Sequence, residues 1–364
     1  MSSNVNERFQ ISPFLILFVI HAMQWGVGYL SFQREVAQFA GQDAWIAVIL
    51  TGISFHIVIW MMYRIFRTYR NQTDLVHIHR NLFGKWIGGL LTVCFIVYLV
   101  MYASMILRSF IETIQVWIFP QLQTWVLGLV LLLLAYYVVL GGFRVIVGIC
   151  LVSFVHYIFL PTYFFLGEYF HFSNLTPILE HSMTDLLQAS KQMSFSYLGV
   201  EILLICYPFI KNPKQSHKWA HAANAVLTLF YLSLIVFSLA FYSLGQLMNE
   251  EWPTLTLFKF VQLPFVERFE FVGVSFNLFR VLPILCLALW AASRTGKLLF
   301  SVKQSKVVPF CLLAVFTVVC LLPNRQSINA GLSFMLTIGF YLVYAYIPLL
   351  FVLHLFRKKE RNPI

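Results

Sequence analysis

Little in this sequence is charged. Acidic residues number 14 in 364 positions, and charged residues of both signs make up 11%, against about a quarter in soluble domains. With 60% of the chain apolar, that scarcity excludes a water-soluble globule, because the apolar surplus exceeds what one core can hide. Paired cysteines are missing as well. Cys94, Cys150, Cys206, Cys286, Cys311 and Cys320 all lie in or beside apolar stretches, and none forms a C-x-x-C. They are expected to be small core residues, with neither disulfides nor a metal. Catalytic signatures are absent too: there is no G-x-S-x-G, H-E-x-x-H, phosphate-binding loop or aspartate cluster. No enzyme activity and no cofactor is therefore expected, and His77 and His79 lack further metal ligands. The first ten residues carry no basic n-region leading to a cleavage site, so the first apolar span is expected to stay as a helix.

What is present is a series of apolar runs, each near the ~20 residues that cross a hydrocarbon layer. They predict an all-α polytopic membrane protein of ten helices: Ile11–Leu30, Ala44–Phe66, Trp86–Leu107 with a continuation toward Val116, Thr124–Leu140, Arg144–Leu166, Leu186–Ile210, Ala220–Leu244, Phe271–Ala292, Val307–Leu322 and Ile328–Phe356. The net charge of +11 is not massed into a patch for nucleic acid. The basic residues sit between spans, where they report orientation. With both termini cytoplasmic, eighteen Lys and Arg fall inside and five outside (Arg34, Lys191, Lys259, Arg268 and Arg325), as the positive-inside rule requires. The two long connections Gly167–Asp185 and Gly245–Glu270 then lie outside, and each is expected to carry a short surface helix. Tyr69–Gly84 is expected to be partly helical on the inner side.

Two apolar spans are interrupted. Gln24-Trp25-Gly26-Val27-Gly28 breaks the first, and Ser194-Phe195-Ser196-Tyr197-Leu198-Gly199, followed by Glu201, breaks the sixth. Lipid offers no partner to freed backbone groups, so a break must be buried in protein or line a polar cavity. Breaks in corresponding positions of two halves point to a small-molecule site at the midplane. Lying five helices apart, the two spans run in opposite directions, which predicts one membrane domain of two inverted five-helix repeats, residues 1–167 and 186–356. Gly26, Val27 and Gly28 with Phe195, Ser196, Tyr197 and Gly199 are the candidate pocket, and Tyr98 and Tyr102, four apart, could form its wall. Close helix packing through small residues is the alternative for the glycines, and plain core packing for the tyrosines. Glu201, His156 and Arg280 are ionisable groups within spans and hence candidates for coupling or proton transfer. Arg280 could pair with Glu201, and His156 could equally be a neutral, satisfied ring. Arg108 and Glu112, four apart, are expected to form a solvated pair near the headgroups.

The chain resembles the B subunits of Bacillus-type spore germinant receptors, within the amino acid–polyamine–organocation transporter superfamily. The resemblance rests on the Gly26-Val27-Gly28 break, Ala40-Gly41-Gln42-Asp43-Ala44-Trp45-Ile46, Phe83-Gly84-Lys85-Trp86-Ile87-Gly88, Asn174-Leu175-Thr176-Pro177-Ile178-Leu179 and Ser196-Tyr197-Leu198-Gly199-Val200-Glu201. Trp252-Pro253-Thr254 and Val266-Glu267-Arg268-Phe269-Glu270 complete it. It implies a five-plus-five inverted-repeat fold with the first and sixth helices discontinuous. It also implies the sensing of small nutrients, commonly amino acids, in the inner membrane of the dormant spore, in complex with a larger A subunit and a lipoprotein C subunit. One departure is that a proline usual just after the first break is replaced around Phe32-Gln33. The competing functions are a secondary amino-acid transporter, proton-coupled through His156 or Glu201, and a non-binding membrane scaffold or pore.

Overall fold

The computed structural model describes residues 5–68, 74–262 and 266–356. Among them every extended element is helical: α1 (Ile16–Gln24), α2 (Phe32–Ala40), α3 (Ala44–Thr68), α4 (Leu75–Trp117), α5 (Thr124–Leu140), α6 (Phe143–Val152), α7 (Met183–Ser194), α8 (Leu203–Cys206), α9 (His217–Phe241), α10 (Leu244–Asn249), α11 (Pro253–Lys259), α12 (Phe269–Phe300), α13 (Gln304–Leu321), α14 (Arg325–Tyr341) and α15 (Ile347–Phe356). Seven continuous helical stretches are long and apolar enough to cross a membrane, and three shorter apolar ones, Pro13–Gln24, Thr124–Leu140 and Val200–Phe209, add to them. Rows of exposed apolar side chains at helical spacing, such as Ile53, Ile57 and Trp60 on α3 or Leu129, Leu133 and Tyr137 on α5, belong against lipid rather than water. The chain is an all-α polytopic membrane protein.

The first crossing is α1, a break at Trp25-Gly26, and a 3-10 turn at Val27–Leu30. The sixth is α7, a 3-10 turn at Phe195–Tyr197, an extended Leu198, Gly199 at φ 123°, and a second 3-10 turn leading into α8. The two crossings are antiparallel. The Ile11 amide donates to the Phe209 carbonyl and the Lys211 amide to Ile11, both at 2.8 Å, so the start of one lies beside the end of the other. Both are enclosed by α4, α9 and α12, which carry the longest buried faces.

Several connections differ from the sequence-based expectation. Leu75–Gly84 is the first part of α4, kinked at Gly84, while residues 69–73 of the expected inner helix lie outside the described residues. The expected helix Arg144–Leu166 is α6 followed by a 3-10 helix, Ser153–Tyr169, which runs into Gly167–Asp185; that connection then holds a 3-10 turn at Phe172–Leu175 and no α-helix before α7. Gly245–Glu270 carries most of a short surface helix, α10, and a second, α11, with most of its residues buried. The stretch after the first break forms an unanticipated amphipathic helix, α2, packed against α7.

The Gln42-Asp43 motif has a structural task here. Asp43, buried between α2 and α3, accepts the amides of Leu179 (2.6 Å), Glu180 (3.0 Å) and His181 (3.1 Å) and lies 3.0 Å from the His181 ring. Gly41 holds φ 46°, and a Cβ there would stand 2.7 Å from that ring. Burial alone would raise the Asp43 pKa. The donors from Leu179, His181 and Glu180 outweigh it and hold the carboxyl below its ordinary value of 3.8. A depressed carboxylate contributes stability above its unfolded pKa and loses it as pH falls through the folded value. The clasp should therefore hold at neutral and mildly acid pH and open only below about pH 4. Asp43→Ala strands these amides, at about 1–3 kcal/mol for each one left buried. Thermal melts of the purified protein should show a clear loss at neutral pH; an unchanged melting temperature would contradict the clasp.

Candidate functional site at the paired helix breaks

Unwinding α1 at Trp25 and Gly26 frees the carbonyls at its end. Those of Met23, Trp25 and Gly26 are met by side chains from elsewhere in the chain. Tyr102 Oη donates to Met23 O at 3.0 Å. The Arg280 guanidinium donates to Trp25 O at 3.3 Å and, closer still, to Gly26 O. It stacks 4.1 Å over the Tyr29 ring, whose hydroxyl donates to Asn277 Oδ1 at 2.7 Å and lies 3.4 Å from His156 Nε2. Thr254, from the Trp252-Pro253-Thr254 segment, donates to Tyr29 O at 2.8 Å and accepts from Gln33 at 2.6 Å. That motif closes the far end of the first break.

The second break is held in the same way. Gln24 Nε2 donates to Tyr197 O at 3.0 Å, and Tyr231 Oη to Ser196 O at 3.1 Å. Tyr102 also reaches Leu198 O at 3.4 Å. Glu201 folds back onto its own turn. It accepts the Gly199 amide at 2.8 Å and the Tyr98 hydroxyl at 2.5 Å. Gly199 lies so close to α1 that a Cβ would stand 2.5 Å from Met23 O. Gly28 faces Ser196 and Phe195 across the gap.

The structure thus brings Gly26, Gly28, Tyr98, Tyr102, Phe195, Ser196, Tyr197, Gly199 and Glu201 to one junction, with Arg280 and His156 on its far side. The Val27 backbone belongs to the turn, and its side chain lies outside the described residues. Arg280 and Glu201 do not pair, because each is taken by the backbone of a different break. Arg108 and Glu112 are buried rather than solvated and do not bond to each other. Arg108 donates to Leu322 O at 2.8 Å, and Glu112 accepts from Arg325 at 2.7 Å. Gln24, Tyr29, Asn224, Tyr231 and Asn277 escaped the sequence-based selection. Asn224 and Tyr231, seven apart on α9, are polar marks two turns apart on one face, a signal available in the sequence.

A cavity of about 320 Å³ lies between this junction and the face that carries the two long connections. Gly28 and Phe195 line it at the junction, and Glu251, Trp252 and Arg325 at its other end. Gly26, Tyr98, Tyr102, Ser196, Tyr197 and Gly199 are buried beyond it. Near the first break, Arg280 Nε and Asn277 Nδ2 are buried donors without a hydrogen-bond partner among the described residues.

A helical bundle with two broken, antiparallel crossings meeting beside a polar cavity is a transporter-type fold. A solved chain described as the substrate-bound outward-open state of a Na+-coupled sialic acid symporter superposes with a TM-score of 0.65. It covers 96% of this chain and 79% of its own length at 12% identity, a likeness of fold alone. The sequence comparisons reach further. The model of the spore germination protein family matches residues 10–328. Spore germination protein GerQB of Bacillus cereus is 40% identical over 98% of both chains. Spore germination protein YndE of Bacillus subtilis (strain 168) is 24% identical over 82% of this chain and 84% of its own. The chain belongs to the spore germination protein family.

The two glycines at the junction should respond differently to substitution. Gly199→Ala forces a positive-φ backbone on alanine and drives its Cβ into the Met23 carbonyl. That conformation costs of order 1–3 kcal/mol, so membrane abundance and melting temperature should fall. Gly28→Ser meets chiefly the movable end of Ser196, at 2.7 Å, and should leave abundance near normal. Immunoblots of membranes and detergent melts measure both; equal tolerance of the two changes would contradict the Gly199–Met23 contact.

Proposed function

We propose that the chain is the nutrient-sensing subunit of a spore germinant receptor, binding a small solute, with amino acids the first class to test, at the junction of the two broken helices. It sits in the inner membrane of the spore with both termini cytoplasmic and the two long connections outside, and it works with A- and C-type partner subunits. Residues 1–167 and 186–356 are its inverted repeats. The observation that carries this function is the convergence of both breaks on one cavity, which Gly28 lines from the first and Phe195 from the second. The breaks are tied to each other through few bonds, chiefly Gln24 to Tyr197 and Tyr102 to both strands of the junction. A solute that favours one arrangement of these ties over another shifts the population between two packings. Partner subunits then read the packing rather than the solute.

A sensor needs only differential affinity for two states, whereas a transporter must also release its solute on the other side. The buried Tyr98–Glu201 bond gives the transporter its best argument, as a carboxylate placed where a proton could be exchanged. Purified protein in liposomes, with labelled amino acids and an imposed proton gradient, separates the two. Binding without accumulation is expected. Saturable, gradient-driven uptake abolished by Glu201→Gln or His156→Ala would replace the sensor with a transporter, and no binding at all, with the A subunit lost from the membranes of spores that lack this chain, would leave a scaffold. For orientation, a single cysteine at Lys358 in a Cys-free background should be shielded from impermeant label in intact cells, and one at Glu180 should be labelled. The reverse pattern would invert the topology.

A further inference from the structure

The face opposite the two long connections, where α4 and α13 begin and α12 ends, is rimmed with positive charge. Residues 75–111 and 271–356 contain no Asp or Glu. Within them Arg80, Lys85, Lys303 and Lys306 are exposed and Lys297 is half-buried, and none makes an ion pair among the described residues. Asp74, just before α4, is buried and occupied as its cap, accepting the His77 amide at 3.0 Å. Packing brings these segments together. Arg80 Nη2 donates to Leu299 O at 3.4 Å. A Cβ on Gly89 would lie 3.9 Å from Leu299 Cδ1, and one on Gly296 would lie 2.9 Å from Val307. Gly84, at φ 77°, kinks α4 between Arg80 and Lys85. The opening turns of α4, the end of α12 and the first turn of α13 therefore share one edge of the bundle.

Apolar side chains continue from this edge along the bundle. On α4, Trp86, Leu90, Val93 and Val97 are exposed at helical spacing, Trp86 at 86%. On α13, Phe310 and Leu313 are exposed, and Phe300 and Val302 stand out where α12 gives way to α13. Lys85 Nζ lies 5.9 Å over the Trp86 ring, and tryptophan beside a cation marks the headgroup level of a bilayer. We propose that this edge binds an anionic phospholipid, its phosphate among Arg80, Lys85, Lys303 and Lys306 and its acyl chains along the exposed stripes of α4 and α13. Like charges gathered beside hydrocarbon repel one another with little screening, and an anionic headgroup relieves that. A zwitterionic headgroup brings a cation of its own. A free phosphate meets the charge but leaves the apolar stripes uncovered, whereas a lipid covers both. The site lies at the other end of the bundle from the cavity and does not depend on the sensing role. Its occupant ties together the ends of α4 and α12, the two helices that carry Tyr102 and Arg280 to the broken crossings.

The test uses the full chain in uncharged detergent, titrated with dioleoyl phosphatidylglycerol, dioleoyl phosphatidylcholine, or glycerophosphoglycerol, which is the anionic headgroup without tails. Native mass spectrometry counts the molecules retained. Phosphatidylglycerol should be retained about tenfold or more in preference to phosphatidylcholine, and the tail-free headgroup should not bind saturably. A basic side chain near an anionic lipid contributes about a fivefold change in affinity. The triple change Lys85→Gln, Lys303→Gln and Lys306→Gln should therefore remove most of the preference, and the matching changes to Arg should keep it. A second triple change, Lys211→Gln, Lys214→Gln and Lys218→Gln, removes the same charge from exposed lysines elsewhere and should leave the preference within about twofold. The altered lysines of both triples are exposed, so melting temperatures in phosphatidylcholine should match that of the unaltered chain and show that both variants fold. Equal retention of the two lipids, equal loss of preference in the two Gln triples, or headgroup binding as tight as that of the whole lipid would each overturn the proposal. The first outcome would mean no selectivity, the second an effect of net charge alone, and the third a site for free phosphate esters.

Discussion

Backbone carbonyls freed within lipid must find donors from protein, and the rest of this molecule is arranged around that requirement. Two crossings are broken, and water is not at hand to satisfy what the breaks release. The donors come from far along the chain: Tyr102 from α4, Tyr231 from α9 and Arg280 from α12. This explains why α4, α9 and α12 enclose the junction while α5 and α13 turn wide apolar faces outward. It also explains an arginine buried in an apolar span. Its charge is stabilised by carbonyl dipoles at the end of α1, where the helix dipole is negative, and by the face of Tyr29.

The same requirement gives meaning to short motifs in the connections. Thr254 sits 225 residues from the carbonyl it serves, Tyr29 O, so the connection before α12 is part of the first break. Asp43 gathers three amides of the connection before α7 and fixes where the second broken crossing begins. Connections that look like surface loops are thus clamps on the two broken helices. A change of packing at the junction would reach that face of the protein through Thr254 and Asp43 without needing a longer route.

Membership of the spore germination protein family and a transporter-type fold are compatible with a chain that senses rather than carries. The junction is buried on the side of α12, and the cavity lies on the other side, toward the long connections. Under the proposed sensing role, a solute reaching the cavity would meet Phe195 and Gly28, which line it, before the buried residues behind them. Movement at those two positions alters the fit of Gly28 against Ser196 without requiring a continuous path through the bundle.

The sequence by itself determined the membrane class, the ten apolar crossings, the position of both breaks and their antiparallel relation. These are local or counting properties: apolar length, glycine and polar interruptions, and the number of helices between them. Its motifs pointed to the family that the comparisons then showed. Only the tertiary structure decided who partners whom. Arg280 and Glu201 looked like natural mates, yet each serves a different break. Arg108 and Glu112 stand at the right spacing, yet they look to Leu322 and Arg325. Spacing tells which residues share a helix face, but a buried polar group bonds to whichever helix packs against that face. That choice is made by contacts between distant segments, such as Arg280 and Trp25, 255 residues apart. The cavity is of the same kind. Its lining comes from α2, α4, α7 and α14 and from the connections between helices, and no stretch of sequence contains it.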